Sequence, residues 1–176
     1  DMALDAKFAK DLPAEARMDI RNCKVGAYMN ADMLVEALAQ IDSILADKEI
    51  DKLLEADKID QTQYKYQLKA KQYQIAHMSN KLMTQNPEEA EKYAARLDGA
   101  LNKYLEICGG DNADKDEFLP SLYFLAIKSN LDRALTSSDA KALRNKALQY
   151  CESFMKFNFK QANTERVHDL SATVKS

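Results

Sequence analysis

At 176 residues the chain is long enough for one domain that buries roughly 70% of its unfolded surface, and 46% of its residues are hydrophobic. Only 4 glycines and 3 prolines are present, far below the usual shares of about 7% and 5%, which favours long helices over many short strands. A net charge of -3 with 30% charged residues describes a mixed-sign surface and speaks against bulk nucleic-acid binding.

No apolar run approaches the ~18 residues that cross a bilayer, and the most apolar stretch, 118–127, is interrupted by Pro120 and Ser121. No transmembrane segment is expected. The chain opens on Asp1, which reads as a processed or trimmed form and leaves the compartment open. Cys23, Cys108 and Cys151 are an odd number in a chain that does not need stapling, which fits a reducing compartment or isolated buried thiols.

In chain order, residues 14–29 carry Met18, Ile20, Cys23, Val25 and Met29 and predict a first helix. Asn30 is the expected N-cap of a second, 31–46, whose Leu34, Ala37, Leu38, Ile41, Ile44 and Leu45 fall on one stripe. Residues 14–46 therefore read as a helical hairpin. The charged stretch 47–60, with Ile50, Leu53, Leu54 and Ile59, predicts a short helix, and Asp60 or Thr62 caps the next.

Residues 61–84 place Tyr64, Leu68, Ile75, Met78 and Leu82 in helical register with Lys71 as the one defect, beside a second register of Tyr66, Ala70, Tyr73 and His77. Two apolar registers predict a wide buried face. Gln85, Asn86 and Pro87 mark a stop and restart, because proline suits a first helical turn and Glu88, Glu89 and Glu91 suit the positive end of the helix dipole. The helix from Pro87 to Cys108 is predicted to end at Gly109-Gly110. After the polar loop 111–117, in which Asp114 or Asp116 is the expected cap, residues 118–131 predict the central core helix. Thr136 to Asp139 then cap an amphipathic helix to about Phe159, and 161–176 reads as a weakly structured tail after a single helical domain over 1–160. The sum is an all-α fold of about seven or eight helices in antiparallel hairpins.

Within the first hairpin, the string Val25, Tyr28, Ala37, Ile41, Ile44 resembles the small-large-small pattern of a tetratricopeptide hairpin, whose first helix offers Tyr and whose second offers Ala. The Glu36-Ala37 pair recurs as Glu89-Ala90, at a spacing longer than the about 34 residues of that repeat. The chain thus resembles an irregular tetratricopeptide-like protein over residues 14–46, and a plain helical bundle accommodates the same elements. The resemblance implies a stack of antiparallel helices whose concave side, lined by the first helix of each pair, binds a peptide or partner domain.

Residues with catalytic potential are sparse. His77 has no Cys, Asp or Glu three or four positions away, and it sits among Tyr73, Ile75 and Met78. His168 follows Glu165 at a spacing used by carboxylate-bridged metal sites, which require that motif twice. Counted from Asn112, an EF-hand needs glycine where Glu117 stands and glutamate where Tyr123 stands, so no calcium loop is expected. Neither a phosphate cradle nor a nucleophile elbow is found around Gly109-Gly110 or the serines. No catalytic, metal or cofactor residue is therefore assigned.

One run interleaves aromatic and basic residues, from Gln63 to Tyr73. Residues 64–103 hold seven Lys/Arg against four Asp/Glu, whereas residues 1–63 hold eight against fourteen. Tyrosine beside cations suits protein hot spots, although rings in a two-register helix also serve packing. Tyr66, Lys69 and Tyr73, at helical spacings of three and four, are the candidate protein-binding residues. The expectation is a non-enzymatic interaction or scaffold module for a protein or peptide partner. The alternative is a helical small-ligand carrier or enzyme with a central cavity.

Overall fold

The structure is a computed structural model that describes residues 12–49, 52, 61–109, 113, 115–157, 159 and 161–175. These residues form seven α-helices: α1 Ala14–Asn30, α2 Leu34–Leu45, α3 Gln61–Gln85, α4 Ala90–Cys108, α5 Leu119–Ala134, α6 Ala140–Phe154 and α7 Gln161–Lys175. Among the described residues there is no strand, so the fold is all-α. No helix among them is long and apolar enough to cross a membrane. The short helix expected within 47–60 lies largely outside the described residues.

The chain divides into two compact units, 1–68 and 69–176, with the division inside the span of α3. In the first, α1 and α2 pack as a hairpin over Ala14, Val25, Leu34, Ala37, Leu38, Ile41 and Ile44, all buried. Its turn differs from the expected cap at Asn30. Asn30 is the last residue of α1, and backbone hydrogen bonds close the turn: Asp32 N–H donates to Met29 O (3.2 Å) and Met33 N–H to Tyr28 O (2.9 Å). Asp32 takes the left-handed conformation (φ 58) that this C-terminal motif needs. These amides satisfy the last carbonyls of α1, while α2 starts after Met33 without a side-chain cap.

In the second unit, α4, α5 and α6 pack in sequence, and α7 lies against both α5 and α6. Its core holds Tyr104, Tyr123, Phe154, Leu97, Leu101, Leu119, Leu122 and Ile127, each under 2% exposed or nearly so. Edge contacts of Tyr123 with Phe154 (5.6 Å) and Tyr150 (6.5 Å) tie α5 to α6. Pro87–Glu89 is a single 3₁₀ turn that leads into α4, so the restart at Asn86-Pro87 stands where the sequence put it, while the α-helix proper begins three residues later. Gly109 ends α4 at φ 59.

Two further expectations meet different structure. The sixth helix stops at Phe154, earlier than expected, because Met155, Lys156 and Phe157 continue it only as turns. Residues 161–175, expected as a weakly structured tail, form a helix that buries Val167 completely. Val167 in the core and Arg166 over the Phe124 ring (4.4 Å) hold this helix against its neighbours, contacts that periodicity along the chain does not reveal.

Candidate functional site

Among the described residues, three clusters bring polar side chains together from positions far apart in the chain. In the first unit, Asp47 at the end of the hairpin accepts from Arg17 (3.2 and 3.3 Å) and from Arg21 Nη1 (2.9 Å), and Arg17 Nη2 also reaches Glu49 (2.5 Å). Burial pushes the Asp47 carboxyl up, but the two guanidinium groups outweigh it and hold the carboxyl below its ordinary range. These contacts staple the start of α1 to the residues after α2.

In the second unit, Asp116 gathers five donors. Its Oδ1 accepts from Tyr104 OH (2.8 Å) and from the backbone N–H groups of Phe118 (3.0 Å) and Leu119 (3.1 Å). Its Oδ2 accepts from Lys69 Nζ (2.8 Å) and, more weakly, from Cys108 Sγ (3.6 Å). Asp116 therefore caps α5, the role the sequence offered to Asp114 or Asp116, while pinning α3 and α4 to the same loop. Burial raises its carboxyl, and the hydrogen bonds from Lys69, Tyr104 and Phe118 N–H more than reverse that. Burial, with the carboxylate beside it, pushes the Cys108 thiol up to about 11 and the Tyr104 hydroxyl well above its usual value. A carboxylate with its lone pairs taken by five donors has little capacity left to accept a substrate proton.

The third cluster joins α4 to α6: Asp98 accepts from Tyr150 OH (2.5 Å) and from Lys146 Nζ. Burial and Asp98 together raise the Tyr150 hydroxyl. Arg133, largely buried, pairs with exposed Glu91 and adds a contact between α5 and α4. No group of three His, Cys, Asp or Glu among the described residues could hold a metal ion.

The three candidate binding residues have different surroundings. Lys69 is committed to Asp116 and stands over the Tyr104 ring at 5.7 Å. Tyr73 packs its ring on His77 (4.3 Å) and edge-on to Phe118 (5.2 Å). Tyr66 is 59% exposed. His77 is half-buried, with Nε2 lacking a hydrogen-bond partner, and desolvation lowers its pKa. Lys71, the defect in the α3 stripe, is buried, reaches Gln74 Oε1 at 3.3 Å, and has its pKa lowered by desolvation. His168 is exposed and borders a groove of about 390 Å³ between α6 and α7, floored by Cys151 and Val167.

A further surface feature lies on α1. Of the apolar residues that predict this helix, Ile20 is 46% exposed and Cys23 is exposed, while Val25 is buried. Helical geometry separates them: Ala14, Met18 and Val25 face α2, and Ala16, Ile20, Cys23 and Ala27, spaced four, three and four, form a second apolar stripe on the opposite side. Cys23 and Ala27 are exposed and Ala16 is half-buried. That 4-3-4 spacing is written in the sequence, but the run of apolar residues over 14–29 does not by itself separate the two faces.

No protein-family profile, no curated protein and no solved structure matches this chain.

Proposed function

We propose that the chain is a non-enzymatic protein-interaction module. The observation that carries this reading is the outward stripe of α1, on which Ile20 and Cys23 stay exposed although the opposite face of the same helix is already buried. A helix that is apolar on two sides, with only one covered inside its hairpin, offers the other to a partner. Tyr66, exposed on α3, is a second apolar anchor of the kind that dominates protein interfaces. The tetratricopeptide-like reading of the hairpin agrees with this use, since in such hairpins the first helix faces the ligand. The half-buried carboxylates, Asp47 and Asp116, are engaged by arginine, lysine, tyrosine and backbone donors within their own units, which supports a structural role for them over a catalytic one.

Chemical crosslinking of the full chain in an extract, read by mass spectrometry, tests the proposal. A protein partner crosslinked near α1 or Tyr66, and diminished by Ile20→Asp or Tyr66→Ala with an unchanged circular dichroism spectrum, is the expected result. Recovery of no partner, together with a small molecule retained in native mass spectrometry, would instead favour a ligand carrier.

A further inference from the structure

We propose that residues 69–85 of α3 form a latch that lifts from the second unit while α5 and α6 stay packed. The composition of the helix is at odds with its enclosure. None of residues 67–80 is exposed, yet eight of these fourteen side chains are Gln, Lys, His, Ser or Asn. A helix closed in on all sides is ordinarily apolar all round. Three of the polar groups are poorly matched by the protein. Ser79 is 0% exposed and its Oγ has no hydrogen-bond partner, and the buried Nε2 of His77 has none either. The ammonium of buried Lys71 meets a neutral amide, Gln74 Oε1 at 3.3 Å on its own helix, in place of a carboxylate. Each of these groups regains water when the helix lifts, which lowers the cost of opening.

The side-chain contacts that hold the latch lie at separate points along it. Lys69 reaches Asp116 (2.8 Å), the Tyr73 ring meets the edge of Phe118 (5.2 Å), and Met83 Sδ accepts from Ser129 Oγ (3.4 Å), a thioether being a weak acceptor. The neighbouring helices are joined differently. Rings of Tyr123, Phe154 and Tyr150 interlock α5 with α6, and Asp98 ties α4 to α6 with both Tyr150 and Lys146 as donors. Burial of Ile75, Ala76, Met78, Leu82 and Met83 keeps α3 docked most of the time. Lifting it uncovers that apolar row, a face the closed protein does not present. An element with many unsatisfied polar groups beneath its surface opens locally before the whole unit unfolds.

Hydrogen exchange of the full chain, resolved by peptide mass spectrometry at neutral pH, tests the latch. After correction for intrinsic rates, amides of 71–82 are expected to exchange at least about tenfold faster than those of 143–151 in α6. Ser79→Ala and His77→Phe each remove an unpartnered buried group and should slow exchange over 71–82 by about fivefold or more, leaving 143–151 unchanged. Tyr73→Ala, which deletes the contact with Phe118, should speed it over the same residues. Equal exchange in the two segments of the unaltered chain would overturn the proposal, because α3 would then open only with the whole unit. So would a Ser79→Ala chain in which 71–82 is not slowed, or in which both segments are slowed alike.

Discussion

Replacing Asp116 with alanine should loosen the second unit more than any other polar change, and the structure allows the cost to be assembled. The cap on α5 is lost, worth about 1 kcal/mol. The hydroxyl of Tyr104, on a residue that is 0% exposed, loses its acceptor, at ~1–3 kcal/mol. Lys69 keeps about a quarter of its side chain exposed, so its share is small, about 0.5 kcal/mol. Because the contributions share one carboxylate they overlap, and the expected total is about 3 kcal/mol. Asp116→Asn, which keeps an acceptor oxygen for the cap, should cost about half as much. Urea denaturation followed by circular dichroism measures both, and the double variant Asp116→Ala/Tyr104→Phe should show coupling of at least about 1 kcal/mol, since removing the hydroxyl removes the orphan. A loss below about 1 kcal/mol for Asp116→Ala, or additivity in the double variant, would refute the idea that this carboxylate organises three helices.

The same geometry sets the behaviour in acid. The folded Asp116 and Asp47 carboxyls lie below their unfolded value of about 3.9, so their contribution is complete above that value and disappears as pH falls through the folded pKa; urea midpoints should drop below about pH 4, less steeply in Asp47→Asn or Asp116→Asn. Leu101→Ala removes a side chain that is 0% exposed and should cost ~2–5 kcal/mol in the same assay. The glycines should part ways: Gly109 sits at φ 59, and alanine there is strained by ~1–2 kcal/mol, whereas Gly99 lies inside α4 with open space at its Cβ, and alanine should stabilise by about 0.5–1 kcal/mol. Timed alkylation with peptide mapping should label exposed Cys23 first, then half-buried Cys108 with its raised thiol, and buried Cys151 last; early labelling of Cys151 would contradict the packing of α6.

Helix identity was legible in the sequence because it is a local property. The stripe from Leu34 to Ile44, the stop at Asn86-Pro87 and the glycine after Cys108 each depend on spacing or backbone freedom within a few residues, and each stands in the structure. The surroundings of the polar residues are not local in this way. Lys69 and Tyr73, singled out with Tyr66 as candidate binding residues, meet Asp116, Tyr104 and Phe118 from positions distant in sequence.

Sequence alone determined the all-α class and most helix positions, since periodicity and turn chemistry are written along the chain. Tertiary structure decided the rest: that α1 is apolar on two opposite sides and has only one covered within its hairpin, that Asp116 gathers donors from three helices, and that Val167 packs the last helix against its neighbours. Burial and hydrogen-bond partnership belong to pairs of residues far apart in the chain, and a pattern along one strand of sequence carries no record of which side chain will arrive from the other element.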